Sequence, residues 1–470
     1  MLEMKNVSFQ YADHGQGLRD INLIIKKGEC VVLTGPSGGG KSTLIRLING
    51  LAPSHFQGTL TGSISINGES VKNIPPWRRG LMVGSVFQDP KSQFFSSELA
   101  GEIAFACENY ALPHNEIVAR TNVAIGAFNL ESLRNRPLDL LSSGEKQRTA
   151  IASVYALKPP LYACDEPTAN LDDEGALELA KTLTQLKAEG HTLIVAEHRL
   201  AWLAGIADRY VYVQDGRILW ECGAKEMASM PEAERKKFGL RSAVVVPMPK
   251  LSAPYGNGDP CIACEALSWK RKNNTIFADL SFKAWPGQVV AITGRNGAGK
   301  TTMAHLISGL QRESGGRILV GGKVRKPRSR SREIWYGSND TSAQFFTNSV
   351  TSELLLGTVP SKERLEQARS LLKQLGLYDF KDAHPATLSG GQKQRLSIAC
   401  GILSGRRILM LDEPTSGLDG KNMRMLAALF KEQAAHGKTV ILITHDRELI
   451  GECCGFVSAF EHLNDMHAQR

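Results

Sequence analysis

Gly35-Pro-Ser-Gly-Gly-Gly40-Lys41-Ser42 is the stretch that decides the fold, because it has the spacing G-x-x-x-x-G-K-[ST]. The apolar run Cys30-Val-Val-Leu-Thr34 precedes it and an apolar-periodic segment follows it, so the motif joins a predicted strand to a predicted helix. Glycines here let backbone N–H groups turn toward a phosphate, and the helix N-terminus adds its positive dipole end. The stretch therefore predicts a phosphate-binding loop in which Lys41 bridges the β- and γ-phosphates and the Ser42 hydroxyl binds Mg²⁺.

The chain repeats itself, and the repeat covers several motifs. The motif pairs are Gly35–Ser42 with Gly294-Arg-Asn-Gly-Ala-Gly299-Lys300-Thr301, Leu141-Ser-Ser-Gly-Glu-Lys-Gln-Arg148 with Leu388-Ser-Gly-Gly-Gln-Lys-Gln-Arg395, and Cys164-Asp-Glu-Pro-Thr168 with Leu411-Asp-Glu-Pro-Thr415. The internal distances also match, since 23 positions separate the signature serine from the following aspartate in both copies. From that aspartate to a histidine is 33 positions in both copies. One domain is therefore present twice.

Two similar halves follow from the repeat. The first is predicted at 1–225 and the second at 260–456, with a linker at 226–259 and a tail at 457–470. The linker contains Pro247-Met-Pro249 and further Pro and Gly residues, a composition typical of linkers. Within each half, short apolar runs alternate with longer helical segments. That order predicts a parallel sheet covered by helices, with the ligand at the carboxyl ends of the strands.

Both halves carry two adjacent acids after an apolar run, Asp165-Glu166 and Asp412-Glu413. The first acid of each pair suits a Mg²⁺ position at the end of a strand. The second, one residue past the strand, is placed to polarise the attacking water as a general base. Acids at a strand end can be merely solvated, but that reading would leave each phosphate loop without a metal partner, so we favour catalysis.

The stretch Leu-Ser-Gly-Gly-Gln at 388–392, with its variant at 141–145, resembles the signature of ATP-binding-cassette ATPases. The resemblance spans nearly the whole chain. It implies an α/β fold of two P-loop NTPase domains, each with a helical subdomain that carries the signature. It also implies head-to-tail pairing of the cassettes, with each ATP between one phosphate loop and the other signature. A Ser hydroxyl and Gly N–H groups at a helix N-terminus form a suitable anion site for a γ-phosphate.

Other positions also look like those of this family. Asn170-Leu-Asp172 and Ser416-Gly-Leu-Asp419 look like its D-loops. His198 and His445 look like its switch histidine, which contacts the γ-phosphate; a lone histidine would more often be structural, but these two lie at a common distance from the acids. Tyr11 stands where the family stacks an aromatic ring on adenine.

Within the family, the segment Phe87-Gln88-Asp-Pro-Lys-Ser-Gln93-Phe94-Phe95 resembles the Q-loop of energy-coupling-factor transporters, and Gln344-Phe-Phe346 is similar. This resemblance implies an ATP-hydrolysing subunit that energises import of a vitamin or transition-metal ion. The implied partners are a transmembrane coupling subunit and a small substrate-binding membrane subunit. Gln88 would contact Mg²⁺ or the attacking water.

The second half departs from the pattern at the Q-loop and at the adenine position. Counting back five residues from Gln344 places Asn339 at the position of Gln88. The stretch opposite Tyr11 offers Arg271, or Trp269 if the alignment slips. The first signature departs as well, with Ser143 and Glu145 where the second has Gly390 and Gln392. We therefore expect two unequal ATP sites, with the first phosphate loop facing the unaltered signature.

Composition limits the remaining function classes. Of 470 residues, 42% are hydrophobic and 22% are charged, which is typical of globular proteins and excludes a fibrous or disordered class. No apolar stretch approaches the ~20 residues that a membrane span needs, and the start does not resemble a signal peptide. Nine scattered cysteines fit a reducing compartment. The expected location is the cytoplasmic face of the cell membrane, peripherally bound.

Three alternatives stay open at this point. The net charge of +9 permits a soluble tandem cassette ATPase that acts on ribosomes or nucleic acid, although we expect no nucleic acid. A nucleotide-binding regulator without turnover is disfavoured by the two glutamates after the strands. The basic run Lys323-Val-Arg-Lys-Pro-Arg-Ser-Arg-Ser-Arg332 is either a solvated loop or a contact for anionic lipid.

The predicted site residues fall into three groups. The predicted catalytic residues are Glu166, His198, Gln88, Glu413 and His445. The predicted Mg²⁺ ligands are Ser42, Gln88, Asp165, Thr301 and Asp412. The predicted ATP-binding residues are Tyr11, Gly35, Pro36, Ser37, Gly38, Gly39, Gly40, Lys41, Ser42, Thr43, Gly294, Arg295, Asn296, Gly297, Ala298, Gly299, Lys300, Thr301, Thr302, Ser142, Ser143, Gly144, Ser389, Gly390, Gly391 and Gln392.

Overall fold

The structure is a computed structural model, and it describes residues 1–13, 17–169, 171–249, 258–271, 274–341, 344–359, 361–460 and 463. The chain divides into two compact units. The first comprises Met1–Val246 with Asp419–Lys421, and the second comprises Pro247–Leu418 with Asn422–Arg470.

The first unit contains ten strands and nine α-helices among the described residues. The strands are β1 (Leu2–Tyr11), β2 (Leu18–Ile25), β3 (Cys30–Thr34), β4 (Gly58–Ile66), β5 (Glu69–Ser70), β6 (Val83–Val86), β7 (Leu161–Asp165), β8 (Thr192–Ala196), β9 (Arg209–Gln214) and β10 (Arg217–Gly223). The helices are α1 (Lys41–Asn49), α2 (Leu51–Ser54), α3 (Pro76–Met82), α4 (Leu99–Asn109), α5 (His114–Ala127), α6 (Ser143–Tyr155), α7 (Asp173–Ala188), α8 (Ala224–Ser229) and α9 (Glu232–Lys237). Short 3₁₀ turns lie at Val71–Asn73, Pro90–Gln93, Glu131–Leu133, Leu138–Leu140 and Ala201–Leu203.

Two sheets organise this unit. The larger has the order β10-β9-β3-β8-β7-β6, in which only the β9–β10 pairing is antiparallel. The smaller, β2-β1-β4-β5, is antiparallel. Both faces of β3 are buried: Val31 and Leu33 pack in the core beside the antiparallel sheet, whereas Cys30 and Val32 pack in the core beside the helices. This burial explains the continuous apolar run in the sequence, since a parallel strand covered on both faces has no solvent side.

The second unit repeats the architecture. Its strands are β11 (Ile262–Arg271), β12 (Asn274–Ala284), β13 (Val289–Thr293), β14 (Gly315–Val320), β15 (Lys323–Val324), β16 (Ile334–Gly337), β17 (Ile408–Asp412), β18 (Thr439–Ile443) and β19 (Phe456–Ala459). Its helices are α10 (Lys300–Ser308), α11 (Pro327–Glu333), α12 (Val350–Leu355), α13 (Lys362–Gln374), α14 (Gly390–Leu403), α15 (Gly420–Ala435) and α16 (Arg447–Cys453), with 3₁₀ turns at Tyr378–Phe380 and Pro385–Thr387. A parallel sheet, β16-β17-β18-β13-β19, accompanies an antiparallel sheet, β12-β11-β14-β15.

Each unit has a group of three helices outside the sheets. In the first unit α4, α5 and α6 pack against one another, and in the second α12, α13 and α14 do so. The signature stretches begin α6 and α14. The predicted class, α/β with two P-loop NTPase domains and a signature on a helical subdomain, is confirmed.

The segment predicted as the linker, 226–259, contains regular structure in its first part. Helix α8 starts before residue 226, α9 follows, and Leu240 and Ala243 are buried in the first unit's core. The exact domain limits stay a prediction. Residues 250–257 and most of the predicted tail lie outside the described residues.

The basic run is neither wholly solvated nor a loop. It forms β15 and most of α11, and the Arg330 side chain is 0% exposed. Its guanidinium donates to both carboxylate oxygens of Glu313, at 2.7 and 3.3 Å, and to the Arg325 carbonyl at 2.7 Å. Arg325 also lies 3.4 Å from the carboxylate of Glu333, so two charges of the run have acidic partners.

Candidate functional site

The first phosphate loop connects β3 to α1. Gly35, Gly38 and Gly40 have φ angles of 134°, 78° and 113°, a region that favours glycine. A Cβ on Gly35 would lie 2.1 Å from the Val213 carbonyl oxygen, so the loop holds its path only with glycine there. Lys41 is buried, and its ammonium donates to the carbonyls of Gly35 and Pro36 at 3.0 and 2.9 Å. Burial lowers the pKa of Lys41, although the negative charge of Glu166 acts in the opposite direction.

The second phosphate loop has the same geometry between β13 and α10. Gly294, Gly297 and Gly299 have φ angles of 141°, 81° and 110°. The buried Lys300 donates to the carbonyls of Gly294 and Arg295 at 2.5 and 2.8 Å. Both loops thus bring a lysine ammonium and several backbone N–H groups to the N-terminus of a helix, which is suited to a polyphosphate.

A hydroxyl and a carboxylate meet beside each loop. Ser42 donates to Asp165 at 3.0 Å, and Thr301 donates to Asp412 at 2.6 Å. Burial, with a contribution from the charge of Glu166, raises the pKa of Asp165 to about 6. Burial also raises the pKa of Asp412. Oxygen-only donors of this kind fit Mg²⁺, which takes one or two protein ligands and completes its shell with phosphate and water.

The two glutamates after the strands share an unusual backbone. Glu166 and Glu413 have φ angles of 45° and 47°, and their N–H groups donate to carbonyls at the end of the neighbouring strand, on Ala196 and Ile443 at 2.9 and 2.8 Å. Left-handed φ values are uncommon for glutamate and concentrate at functional sites. The same conformation in both copies aims the two carboxylates at corresponding positions.

Glu166 lies among the predicted catalytic side chains of its own cassette. Its carboxylate is 3.3 Å from Nε2 of His198 and accepts a hydrogen bond from Gln88 at 3.2 Å. Burial raises the pKa of this carboxyl, but His198 and Lys41 outweigh burial, so the pKa is lowered overall. Glu166 is therefore an anion at neutral pH. His198 also contacts the Ser37 hydroxyl at 3.4 Å.

The corresponding carboxylate of the second cassette has different neighbours. Glu413 is 3.7 Å from Nε2 of His445 and accepts a hydrogen bond from the Thr444 hydroxyl at 3.2 Å. The first cassette has Glu197 where the second has Thr444. Asp412 also accepts a hydrogen bond from Tyr336 at 3.3 Å. The two cassettes therefore differ in the side chains that contact the aspartate and in those that contact the glutamate.

The signature serines begin their helices in the same way. Ser142 and Ser389 are the N-caps of α6 and α14, and each forms a capping box with the residue three positions later. Glu145 accepts from the Ser142 N–H at 2.7 Å, and Gln392 accepts from the Ser389 N–H at 2.8 Å. The departure at Glu145 thus preserves the local geometry and adds a negative charge at the start of α6.

By its position at the end of a strand, Arg271 is the residue of the second cassette that corresponds to Tyr11. Tyr11 ends β1 and Arg271 ends β11, whereas Trp269 is partly buried against the core. The Tyr11 hydroxyl contacts Thr43 and accepts a hydrogen bond from Arg46, each at 3.1 Å.

The structure also places the residue that was matched with Gln88. Asn339 is exposed and lies two residues past β16, as Gln88 lies two residues past β6. Asn170 of the predicted first D-loop lies outside the described residues.

A buried threonine network beside each histidine escaped the sequence interpretation. Thr168 donates to Glu197 at 2.6 Å, and Glu197 accepts the N–H of His198 at 2.7 Å. In the second cassette Thr415 donates to Asp446 at 2.6 Å. The signal was present, because both threonines belong to the repeated Asp-Glu-Pro-Thr motif. The acid lies before the histidine in one copy and after it in the other, so the pairing could not be recognised by alignment.

Comparison with known proteins agrees with this geometry. A model of the family described as ABC transporter matches residues 18–169 and 277–416, which contain both phosphate loops and both acid pairs. The chain belongs to the ABC transporter family. It is an ATP-binding, ATP-hydrolysing protein with two cassettes.

Relatives match almost the full length. A protein of Treponema denticola, provisionally named an ABC transporter ATP-binding protein, is 39% identical over 97% of this chain and 94% of its own length. A Bacillus subtilis protein, provisionally named an HMP/thiamine import ATP-binding protein, is 31% identical over 96% of this chain and 88% of its own.

One solved structure extends the comparison of folds. ABCE1, in a model of ribosome-bound archaeal Pelota and ABCE1, is 22% identical with a TM-score of 0.68, covering 97% of this chain and 76% of that one. At this identity the likeness shows the shared fold alone. Within the described ranges of the present chain, no helix combines the length and the apolar composition that a membrane crossing requires.

Proposed function

We propose that this chain is the ATP-hydrolysing subunit of a membrane transporter, of the energy-coupling-factor type that imports a vitamin or metal ion. The proposal is carried by one observation: the chain contains two sites, each with a complete phosphate loop and its pair of acids. Relatives that match nearly its full length are named for transport. The import name of the Bacillus subtilis relative supports the direction and the substrate class.

In the proposed reaction, Lys41 and the loop N–H groups bind the ATP phosphates and Glu166 orients the attacking water. Because its pKa is lowered, Glu166 is ionised and can accept a hydrogen bond from that water. His198, 3.3 Å away, can contact the γ-phosphate once ATP binds. Glu413, His445 and their loop would act likewise in the second cassette.

Mg²⁺ would be held by the hydroxyl and carboxylate beside each loop. Ser42 and Asp165 would hold it in the first cassette, with Gln88, and Thr301 and Asp412 in the second. The ion would neutralise negative charge on the β- and γ-phosphates.

The two sites are proposed to be unequal within their own cassettes. Glu166 has Gln88 and His198 at hydrogen-bond distance, whereas Asn339 replaces Gln88 and His445 lies farther from Glu413. Head-to-tail pairing of the cassettes stays a prediction from the resemblance.

An exposed aromatic side chain at the end of each Q-loop supports the proposed membrane partner. Phe95 and Phe346 are 74% and 80% exposed. A single exposed apolar side chain is ordinary, but an exposed ring at the corresponding loop position of both cassettes suits one repeated kind of protein contact. A transmembrane coupling subunit pressing on these rings, with a substrate-binding membrane subunit beside it, would hold the chain peripherally at the cytoplasmic face of the cell membrane.

The rival function, action on ribosomes, is favoured by no site residue, and the likeness to ABCE1 concerns the fold. Affinity purification of the tagged chain from detergent-solubilised membranes separates the two. The proposal expects a multi-span membrane protein in stoichiometric amount, released when Phe95 and Phe346 are changed to Ser. Co-sedimentation with ribosomes, without any such partner, would overturn it.

A further inference from the structure

A buried carboxylate in the helical part of the first cassette binds the end of the Q-loop. Glu102 lies in the first turn of α4 and is 3% exposed. Its Oε2 atom accepts the backbone N–H groups of Phe95 and Ser96, both at 2.8 Å. Phe95, whose ring is exposed, is thus hydrogen-bonded to α4 through its backbone N–H.

The second cassette repeats this arrangement. Glu353 lies in the first turn of α12 and is 5% exposed. Its Oε2 atom accepts the N–H groups of Phe346 and Thr347 at 2.9 and 2.8 Å, and the Thr347 hydroxyl at 2.9 Å. In both cassettes, the Oε2 atom of the glutamate at the fourth helical position therefore binds the two backbone amides at the end of the Q-loop.

Helix capping does not account for these bonds. In a capping box the side chain at the third helical position binds the N-cap N–H. Glu102 and Glu353 occupy the fourth position of their helices, and their donors lie six and seven residues earlier, outside the helix. These bonds therefore join the end of the loop to the helix and do not cap the helix terminus.

The Q-loop of the first cassette is held at both ends. At one end Gln88 donates to Glu166, the acid beside the phosphate loop. At the other end Phe95 and Ser96 bind Glu102 on α4. The intervening chain is short and includes a 3₁₀ turn, Pro90–Gln93. A displacement at Gln88 therefore reaches α4 through the backbone that Glu102 holds.

We propose that Glu102 and Glu353 are positioning residues that fasten each Q-loop to its helical subdomain, so that ATP binding moves the exposed aromatic ring together with α4 or α12. The inference rests on the proposed role of the Q-loop and adds the residues that transmit its movement. Two charge-assisted bonds to one buried oxygen make the connection stiff.

Hydrogen exchange of the full-length chain, with and without ATP, tests this inference. In Glu102→Ala, the amides of Phe95 and Ser96 should exchange about 10- to 100-fold faster, since each loses a bond to a charged acceptor. The ATP-dependent change in α4 should disappear, while the change in the phosphate loop persists. Glu102→Gln keeps an acceptor oxygen, and we expect it to restore most of both effects.

Glu98→Gln is the matched control, because Glu98 is an exposed acid just before α4. It should leave both readouts unchanged. Glu353→Ala and Glu353→Gln provide the same test in α12 should the first pair fold poorly. The inference is overturned if the loop amides keep their wild-type exchange in the alanine variants, or if ATP still changes α4 and α12 fully. The readout needs no membrane partner, so failure of the transport assignment would leave it interpretable.

Discussion

Asp165→Asn should stabilise the free chain at neutral pH, because the buried carboxylate of Asp165 is held in an unfavourable charged state. Its pKa is raised from 3.8 to about 6, so the folded state binds the proton more tightly than the unfolded state. At about 1.4 kcal/mol per pKa unit, ionised Asp165 costs up to ~3 kcal/mol above pH 6. The cost vanishes below pH 3.8, and stability therefore falls as pH rises between these values.

The assay is urea denaturation of the full-length chain, read by pulsed hydrogen exchange in β7 so that the transition belongs to the first cassette. At pH 7.5 Asp165→Asn should exceed wild type by up to ~3 kcal/mol, and at pH 5 by roughly half as much. The exposed Asp139 of the same cassette supplies a control, Asp139→Asn, which should show no gain. MgATP should stabilise wild type more than Asp165→Asn. A variant no more stable than wild type, or a gain independent of pH, would refute the reasoning.

Two further predictions concern the inequality of the sites and the buried arginine. Glu166→Gln should reduce single-turnover phosphate release by a factor of about 10²–10⁴, while Glu413→Gln should retain a substantial fraction; equal losses would show that the second site is not weaker. Arg330→Ala should cost the second cassette about 2–3 kcal/mol in denaturant unfolding, since it removes a fully buried guanidinium and its hydrogen bonds to Glu313 and to the Arg325 carbonyl. Arg328→Ala, at an exposed position of the same helix, should cost little, and similar losses in both variants would contradict a structural role for the buried pair.

Much of the fold could be predicted from sequence because its determinants are local. A phosphate loop depends on glycines at fixed spacing between a buried strand and a helix. Both copies contain this pattern within a short run of consecutive residues. The acids after β7 and β17 are equally local, since the end of a parallel strand fixes where they lie. The duplication then removed the ambiguity that a single motif would have left.

The contacts that the sequence did not reveal have different causes. Tyr336 contacts Asp412, which lies 76 positions away, and no pattern in either segment specifies that hydrogen bond. Glu102 binds amides of a loop, and backbone amides have no sequence identity to recognise. Glu145 was interpreted from residue type as an altered signature, whereas its carboxylate forms the same capping box as Gln392.

The proposed transport function is tested most directly by phosphate release from the chain co-purified with its membrane partner and reconstituted in lipid vesicles. The account predicts release that requires Mg²⁺, is faster with the partner than without it, and is nearly abolished by Glu166→Gln. Release that is absent with Mg²⁺, or that the membrane partner leaves unchanged, would contradict it.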